Sequence, residues 1–415
     1  MPSQHQWRRR SWYRWYRAIA IPGVIATVVI LAVVGGRSPS LRQSVVHKRL
    51  ATPTALISRN VPAYSNNACY PARNANDSSY ETVWSACNST NGRAMSPVSW
   101  LAYDLSSVPA ARRATVILAW YANCCSYDNT ISGTGAYNLP GGYTIDANSA
   151  RGGTRSAPAS GWRTLVTVTT NPYHSRQHVL HLSGYTWVRI NISASDGSPG
   201  NYGVQINMDV FNPAEIADDW IFYGDSITEA AMGHTTAAGG FQYVGDMVQS
   251  AIPGIFPLAE NGGIGYQTAS SAQSFIPPQL ALFPGKYVGL AYGTNDANGG
   301  CGSSACLRQF YDAYAHLVQD VLRVHKIPVV PTIPWGCTAS LRANAALYNR
   351  EIEALYRAYP QVAKGPDFYT YFKDRQTLIS ADCIHPNDAA AEPGMGEYRR
   401  LWANTMIGVY KSTSR

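Results

Sequence analysis

The chain has 415 residues, 46% hydrophobic and only 14% charged, a composition that can bury a large core and excludes a wholly disordered chain. Its net charge of +8 is local: residues 1–50 hold nine Lys and Arg and no acid, leaving 24 basic against 25 acidic residues in the rest. The folded part therefore carries no global basic field, and a nucleic-acid partner is not expected.

The chain begins with Trp7–Arg17, rich in Arg, Trp and Tyr, followed by an apolar run from Ala18 to Val34. That run is about the length of a bilayer core, and arginines ahead of it predict an N-in orientation. Residues 1–36 thus read as a signal-anchor or a signal peptide. An uncleaved segment would tie the chain to a membrane through residues 18–34, and either form exports the remainder of the chain. Residues 37–60 are polar and basic and read as a linker. Export gives the even set of Cys69, Cys87, Cys124, Cys125, Cys301, Cys306, Cys337 and Cys383 a meaning as disulfides. Four fall in each half, so pairing within domains is expected, with Cys301–Cys306 clipping one loop and Cys337–Cys383 joining two.

From residue 61 to 212 short apolar runs alternate with Gly, Pro, Asn and Ser clusters, as in Ala114–Tyr121, Thr164–Thr169, His178–Leu182, Trp187–Ile192 and Val204–Val210. This texture predicts a β-sandwich. His178 and His181 would point to opposite faces of one strand, which argues against a metal site with His174. After Pro213 the texture changes. Strands at Ile221–Tyr223, Tyr287–Tyr292 and Ile327–Ile333 alternate with helices at Gly239–Ala251, Leu307–His325, Ala343–Tyr359 and Glu392–Tyr410. Residues 213–415 therefore predict a parallel sheet with helices on both faces, whose ligands bind beyond the carboxyl ends of the strands.

Four motifs fall at those ends. Gly224-Asp225-Ser226-Ile227-Thr228 places a hydroxyl at a strand-to-helix turn, where a plain N-cap serine is the simplest reading. Asn261-Gly262-Gly263-Ile264-Gly265 offers backbone N–H groups, or merely a tight turn. Gly293-Thr294-Asn295-Asp296 supplies an amide able to meet an oxyanion, or an Asx-turn. Asp382-Cys383-Ile384-His385-Pro386 pairs a histidine base with a carboxylate that can fix its tautomer. Each is weak by itself; their joint order carries the case.

In that order the second half resembles the SGNH hydrolases, also called the GDSL esterase/lipase family, from about Asp219 to Tyr410. The resemblance implies a flavodoxin-like α/β/α domain and ester hydrolysis with no metal or other cofactor. It assigns Ser226 as nucleophile, His385 as general base and Asp382 as its orienting acid. It assigns the oxyanion hole to the backbone N–H of Ser226, a glycine-loop N–H and the side chain of Asn295. Family members read Asn-x-Gly-Ile-x-Gly at the glycine block. Here Tyr266 stands last, with Gly265 before it, so Gly265 is taken as the donor. Asp225 and Asp296 are expected to be structural. The absence of G-x-S-x-G around Ser226 argues against the α/β-hydrolase fold.

The first half looks like a discoidin, or F5/8 type C, domain of the galactose-binding-like class. The residues that carry this are Asp77-Ser78-Ser79-Tyr80-Glu81-Thr82-Val83-Trp84-Ser85, Trp100-Leu101-Ala102-Tyr103-Asp104-Leu105, Gly161-Trp162-Arg163-Thr164-Leu165 and Trp187-Val188-Arg189-Ile190. That resemblance implies a carbohydrate- or surface-binding module, with Trp84 and Trp162 as core packing. Together the halves predict an exported serine esterase of short acyl, chiefly acetyl, esters on carbohydrate. The alternatives are a general short-chain esterase or lipase, a glycan O-acyltransferase, and, from another class, a carbohydrate-binding or adhesion protein with an inactive hydrolase domain.

Overall fold

The computed structural model describes residues 54–66, 70–77, 80, 82–86, 94–122, 139–195, 204–233, 243–388 and 394–413, and the chain from Thr52 onward forms one compact unit. The segment Ala18–Val34 and Cys69, Cys87, Cys124 and Cys125 lie outside the described residues. Among the described residues no helix is long and apolar enough to cross a membrane.

The β-rich part runs β1 (Ala63–Ser65), β2 (Trp84–Ser85), β3 (Ala94–Asp104), a short α1 (Ala110–Arg113), β4 (Thr115–Ala122), β5 (Pro140–Asn148), β6 (Arg163–Val168), β7 (Ser175–His181), β8 (Trp187–Ser195) and β9 (Gln205–Phe211). They form two sheets, β1-β3-β8-β5-β6 and β2-β9-β4-β7, antiparallel throughout. Alternation sets the layers. In β8, Val188, Ile190 and Ile192 face a core shared with Trp84, Trp120, Tyr143 and Met208, while Arg189 and Asn191 point to the other face. That outer face hides a carboxylate: Asp146 accepts from Arg189 Nη2 at 2.9 Å, Asn191 Nδ2 at 2.6 Å and Thr164 Oγ1 at 2.9 Å.

Trp84 is fully buried, as expected, but Trp162 is not core. Its ring is half-exposed and carries the Arg189 guanidinium 4.1 Å from its centre, a cation–π contact. His178 bonds to the Tyr143 hydroxyl at 2.8 Å, His181 is exposed on the other face of β7, and His174 is buried just ahead of the strand. Residues 54–60, expected to be linker, pack instead. Ala55, Leu56 and Ile57 are buried, and Arg59 pairs with Asp246 at 2.7 Å, because three consecutive apolar side chains gain more from burial than from water.

The α/β part runs β10 (Asp219–Gly224), α2 (Ser226–Gly233), α3 (Val244–Ala251), β11 (Leu258–Gly263), α4 (Ala269–Ala272), α5 (Ile276–Leu280), β12 (Tyr287–Ala291), α6 (Thr294–Gly299), α7 (Ser304–Arg323), β13 (Ile327–Val330), α8 (Ala339–Ala358), β14 (Ala363–Lys364), α9 (Phe368–Asp374) and α10 (Gly394–Thr413). The sheet is parallel in the order β11-β10-β12-β13-β14. Successive residues of β10 serve opposite layers. Ile221 and Tyr223 join α7 and α8 through Phe310, Leu317, Tyr348 and Ile352, whereas Trp220 and Phe222 join α10 through Tyr398, Trp402 and Met406. Strand β13 stops at Val330, earlier than the apolar run suggested, because Pro331 has no N–H to continue the ladder. In this order the chain reverses direction across the sheet between β10 and β12, the place where open α/β sheets form a crevice.

The two parts share a wall. Tyr80, Ile117, Tyr121 and Phe211 pack on Tyr243, Phe256 and Leu258. Beside them Gln177 Nε2 donates to Asp219 Oδ1 at 3.0 Å and Gln279 Nε2 to the Ser175 carbonyl at 3.0 Å. Glu260 of β11 is buried there. Burial pushes its carboxyl from 4.5 up to about 7, with Ser175 and Gln177 pulling the other way. The fold therefore prefers its protonated form. The contribution is fully present below pH 4.5 and is lost as pH rises through about 7. Glu260→Gln is thus expected to stabilise the protein by about 1–3 kcal/mol at pH 8 relative to its effect at pH 4. Thermal melts of both proteins at the two pH values check this, and an equal shift at both would reject it.

Candidate active site

Ser226 stands at the turn from β10 into α2, three residues past the strand's last apolar side chain, Tyr223. The turn is tight. A Cβ on Gly224 would lie 2.1 Å from Thr228 Oγ1 and 2.9 Å from the Ala291 carbonyl, so only glycine lets α2 start there. Asp225 Oδ1 accepts the Ile227 N–H at 3.0 Å and closes the first turn. Burial pushes the Asp225 carboxyl up to about 6, with the Ile227 N–H and His385 opposing.

The serine hydroxyl lies 2.7 Å from His385 Nε2, and His385 Nδ1 lies 2.6 Å from Asp382 Oδ2. The other carboxylate oxygen, Oδ1, accepts the Ile384 and His385 N–H groups at 2.9 and 3.0 Å and the Ser380 hydroxyl. Burial raises the Asp382 carboxyl, but Ser380, the Ile384 N–H and His385 outweigh it and bring it down to about 2. Asp382 is therefore ionised throughout the neutral range. An ionised Oδ2 accepts only, so it fixes the proton of His385 on Nδ1 and leaves Nε2 as the acceptor facing Ser226.

The loop bearing these groups is tied at several points. Ile379 bridges to Pro386, Ser380 N–H donates to the His385 carbonyl at 2.8 Å, and Asn387 N–H to the Leu378 carbonyl at 2.6 Å. A disulfide joins Cys383 to Cys337, and Cys337 N–H donates to the Cys383 carbonyl at 2.9 Å. The second expected pair, Cys301–Cys306, is also bonded, next to α7. Sequence reasoning misses Ser380, whose position two residues before Asp382 is the only local signal of its role.

The glycine block ends β11. Gly263 packs so closely on α2 that a Cβ would meet Glu229 N at 2.3 Å. Asn261 spans the same junction, donating to the Glu229 carbonyl at 3.0 Å and accepting the Gly263 N–H at 2.9 Å. Ile264 N–H donates to the Gly224 carbonyl at 3.0 Å, one residue ahead of the buried Gly265. Beyond β12, Gly293 has φ +120° and Asn295 is the second residue of α6. Asn295 Nδ2 donates to the Gln267 carbonyl at 3.0 Å, which uses one of its two N–H donors and locks the amide against the glycine loop. Asp296 accepts the Ala269 N–H at 3.2 Å, and burial, helped by the charge of Asp225, pushes its carboxyl up to about 6. Among the described residues no cluster of His, Cys, Asp and Glu is arranged to hold a metal ion.

Residues 222–392 match the GDSL-like Lipase/Acylhydrolase family. This segment is a GDSL-type hydrolase domain. The chain is accordingly an ester-bond hydrolase. No curated protein matches it. Solved structures similar to the GDSL-type part include an acetylxylan esterase from Geobacillus stearothermophilus, 16% identical over 46% of this chain and 93% of that one, with a TM-score of 0.36. A lipase/acylhydrolase from Enterococcus faecalis is 15% identical over 46% and 96%, TM-score 0.36. A lipolytic protein of the G-D-S-L family from Veillonella parvula is 19% identical over 46% and 98%, TM-score 0.35.

Proposed function

We propose that the chain is an exported serine esterase that removes short acyl groups, chiefly acetyl, from carbohydrate. The observation that carries the reading is the hydrogen-bonded row from Ser226 Oγ through His385 to Asp382, at 2.7 and 2.6 Å. In this reading Ser226 attacks the ester carbonyl while His385 Nε2 takes its proton. The oxyanion meets the Ser226 N–H, the Gly265 N–H and the second N–H of Asn295. His385 then protonates the departing alcohol, and water cleaves the acyl-enzyme by the same route. The carbohydrate assignment draws on the β-sandwich, read as a discoidin-like, galactose-binding-type module over residues 61–212, with 213–415 as the catalytic domain. Residues 18–34 would hold both outside the cytoplasm.

The test compares residues 50–415 with the Ser226→Ala variant on an aryl acetate and on acetylated xylan. Serine-dependent release from both supports the reading. Release from the aryl ester alone removes the carbohydrate, and none from either removes the esterase. Asn295→Ala is expected to lose about 10²–10³-fold in kcat. Its lost bond to Gln267 should cost only about 0.5–1.5 kcal/mol of stability, so the variant stays folded. Steady-state kinetics beside a thermal melt separate the two effects, and near-wild-type kcat would take Asn295 out of the hole.

A further inference from the structure

Tyr266 is 70% exposed, the most exposed of the large hydrophobic side chains among the described residues. Its backbone has φ +64°, the left-handed region that glycine enters freely and a tyrosine does not. It sits between two clamped neighbours. Gly265 before it is buried, and the Gln267 carbonyl after it receives the Asn295 amide at 3.0 Å. The path of the chain is therefore set by the oxyanion loop, and the phenol ring is what that path sends outward. A glycine would follow the same path without strain, so the tyrosine holds its ring there at a conformational cost.

Two residues beyond Tyr266, Thr268 begins the wall of a cleft of about 300 Å³, lined also by Ser270, Asn295, Gln309, Phe310 and Cys306. That volume is at the small end of ligand sites. The Thr268 and Ser270 hydroxyls and the Gln309 amide offer hydrogen-bond partners to a hydroxyl-bearing ligand, beside the apolar surface of Phe310.

We propose that Tyr266 is a substrate-binding residue: its ring stacks on a pyranose of the acylated carbohydrate, whose hydroxyls meet the Thr268, Ser270 and Gln309 side of the cleft. This rests on the esterase reading and adds the sugar contact to it. The aromatic face is electron-rich and receives the C–H edge of a pyranose, so the interaction selects a ring and not an acyl chain.

The experiment measures kcat/KM on acetylated xylo-oligosaccharide and on ethyl acetate, which has no ring, for wild type, Tyr266→Ala, Tyr266→Gly, Tyr266→Phe and Ser226→Ala. The saccharide-to-ethyl-acetate ratio is expected to fall about ten-fold in the Ala and Gly variants, through KM, and to be kept by Phe. Glycine matters because it holds the left-handed backbone without strain, so loss in Tyr266→Gly belongs to the ring alone. A ratio unchanged in both variants overturns the proposal while leaving the esterase intact. Equal losses on both esters also overturn it, assigning the effect to the oxyanion loop. Hydrolysis that survives in Ser226→Ala removes the esterase reading and this proposal together.

Discussion

Replacing Ser226 by alanine is expected to lower kcat/KM on any ester substrate by about 10⁴-fold or more, with the melting temperature nearly unchanged. The serine hydroxyl has one hydrogen-bond partner of consequence, His385 Nε2 at 2.7 Å, and no packing that a methyl group cannot replace. What remains in the variant is the oxyanion hole and ground-state binding, which accelerate attack by water only weakly. A burst of aryl alcohol in wild type and none in the variant is the kinetic signature, and measurable turnover within a hundred-fold of wild type, roughly the effect of losing only one hole donor, would rule out Ser226 as nucleophile.

Asp382→Asn should be nearly as severe, at about 10³–10⁴-fold in kcat, for a reason of proton placement. Asp382 Oδ1 is committed to the Ile384 and His385 N–H groups at 2.9 and 3.0 Å, so an asparagine keeps its carbonyl oxygen there. Its NH₂ then faces His385 Nδ1. A donor at that position forces the ring proton onto Nε2, and Nε2 can no longer accept from Ser226. The same substitution leaves the loop geometry in place, because the disulfide and backbone bonds that hold it are untouched. The variant should therefore bind substrate with unchanged KM and turn it over slowly. Retention of a tenth of wild-type kcat would show that the tautomer is set by something else.

The parts of the site that were legible in the sequence are those encoded within a few consecutive residues. Asp382 and His385 lie three apart, and each glycine-bearing motif follows an apolar run that could be recognised as a strand. The sheet made their convergence possible, since β11, β10 and β12 are adjacent and end at the same edge. What stayed hidden depends on partners far along the chain. Strand β5, an interior strand of its sheet, is hard to recognise because Gly141, Gly142 and Asp146 interrupt its apolar pattern. Asp146 is tolerable there only because Arg189 and Asn191 arrive from β8. The discoidin-like resemblance places Trp162 in a core, whereas its partner is the Arg189 charge. The burial of Ala55 to Ile57 could not be seen because the wall that covers them comes partly from the other half of the chain: Leu56 bridges to Phe211, and both share a cluster with Tyr243 and Phe256.

The bond between Cys337 and Cys383 has a reach beyond stability. It fastens the histidine-bearing loop, through a residue held at φ +64°, to the segment that leads into α8. The serine stands on the sheet and needs no such fastening. A thiol reductant would thus remove one of several ties on the loop that carries His385, while the turn that carries Ser226 keeps all of its own.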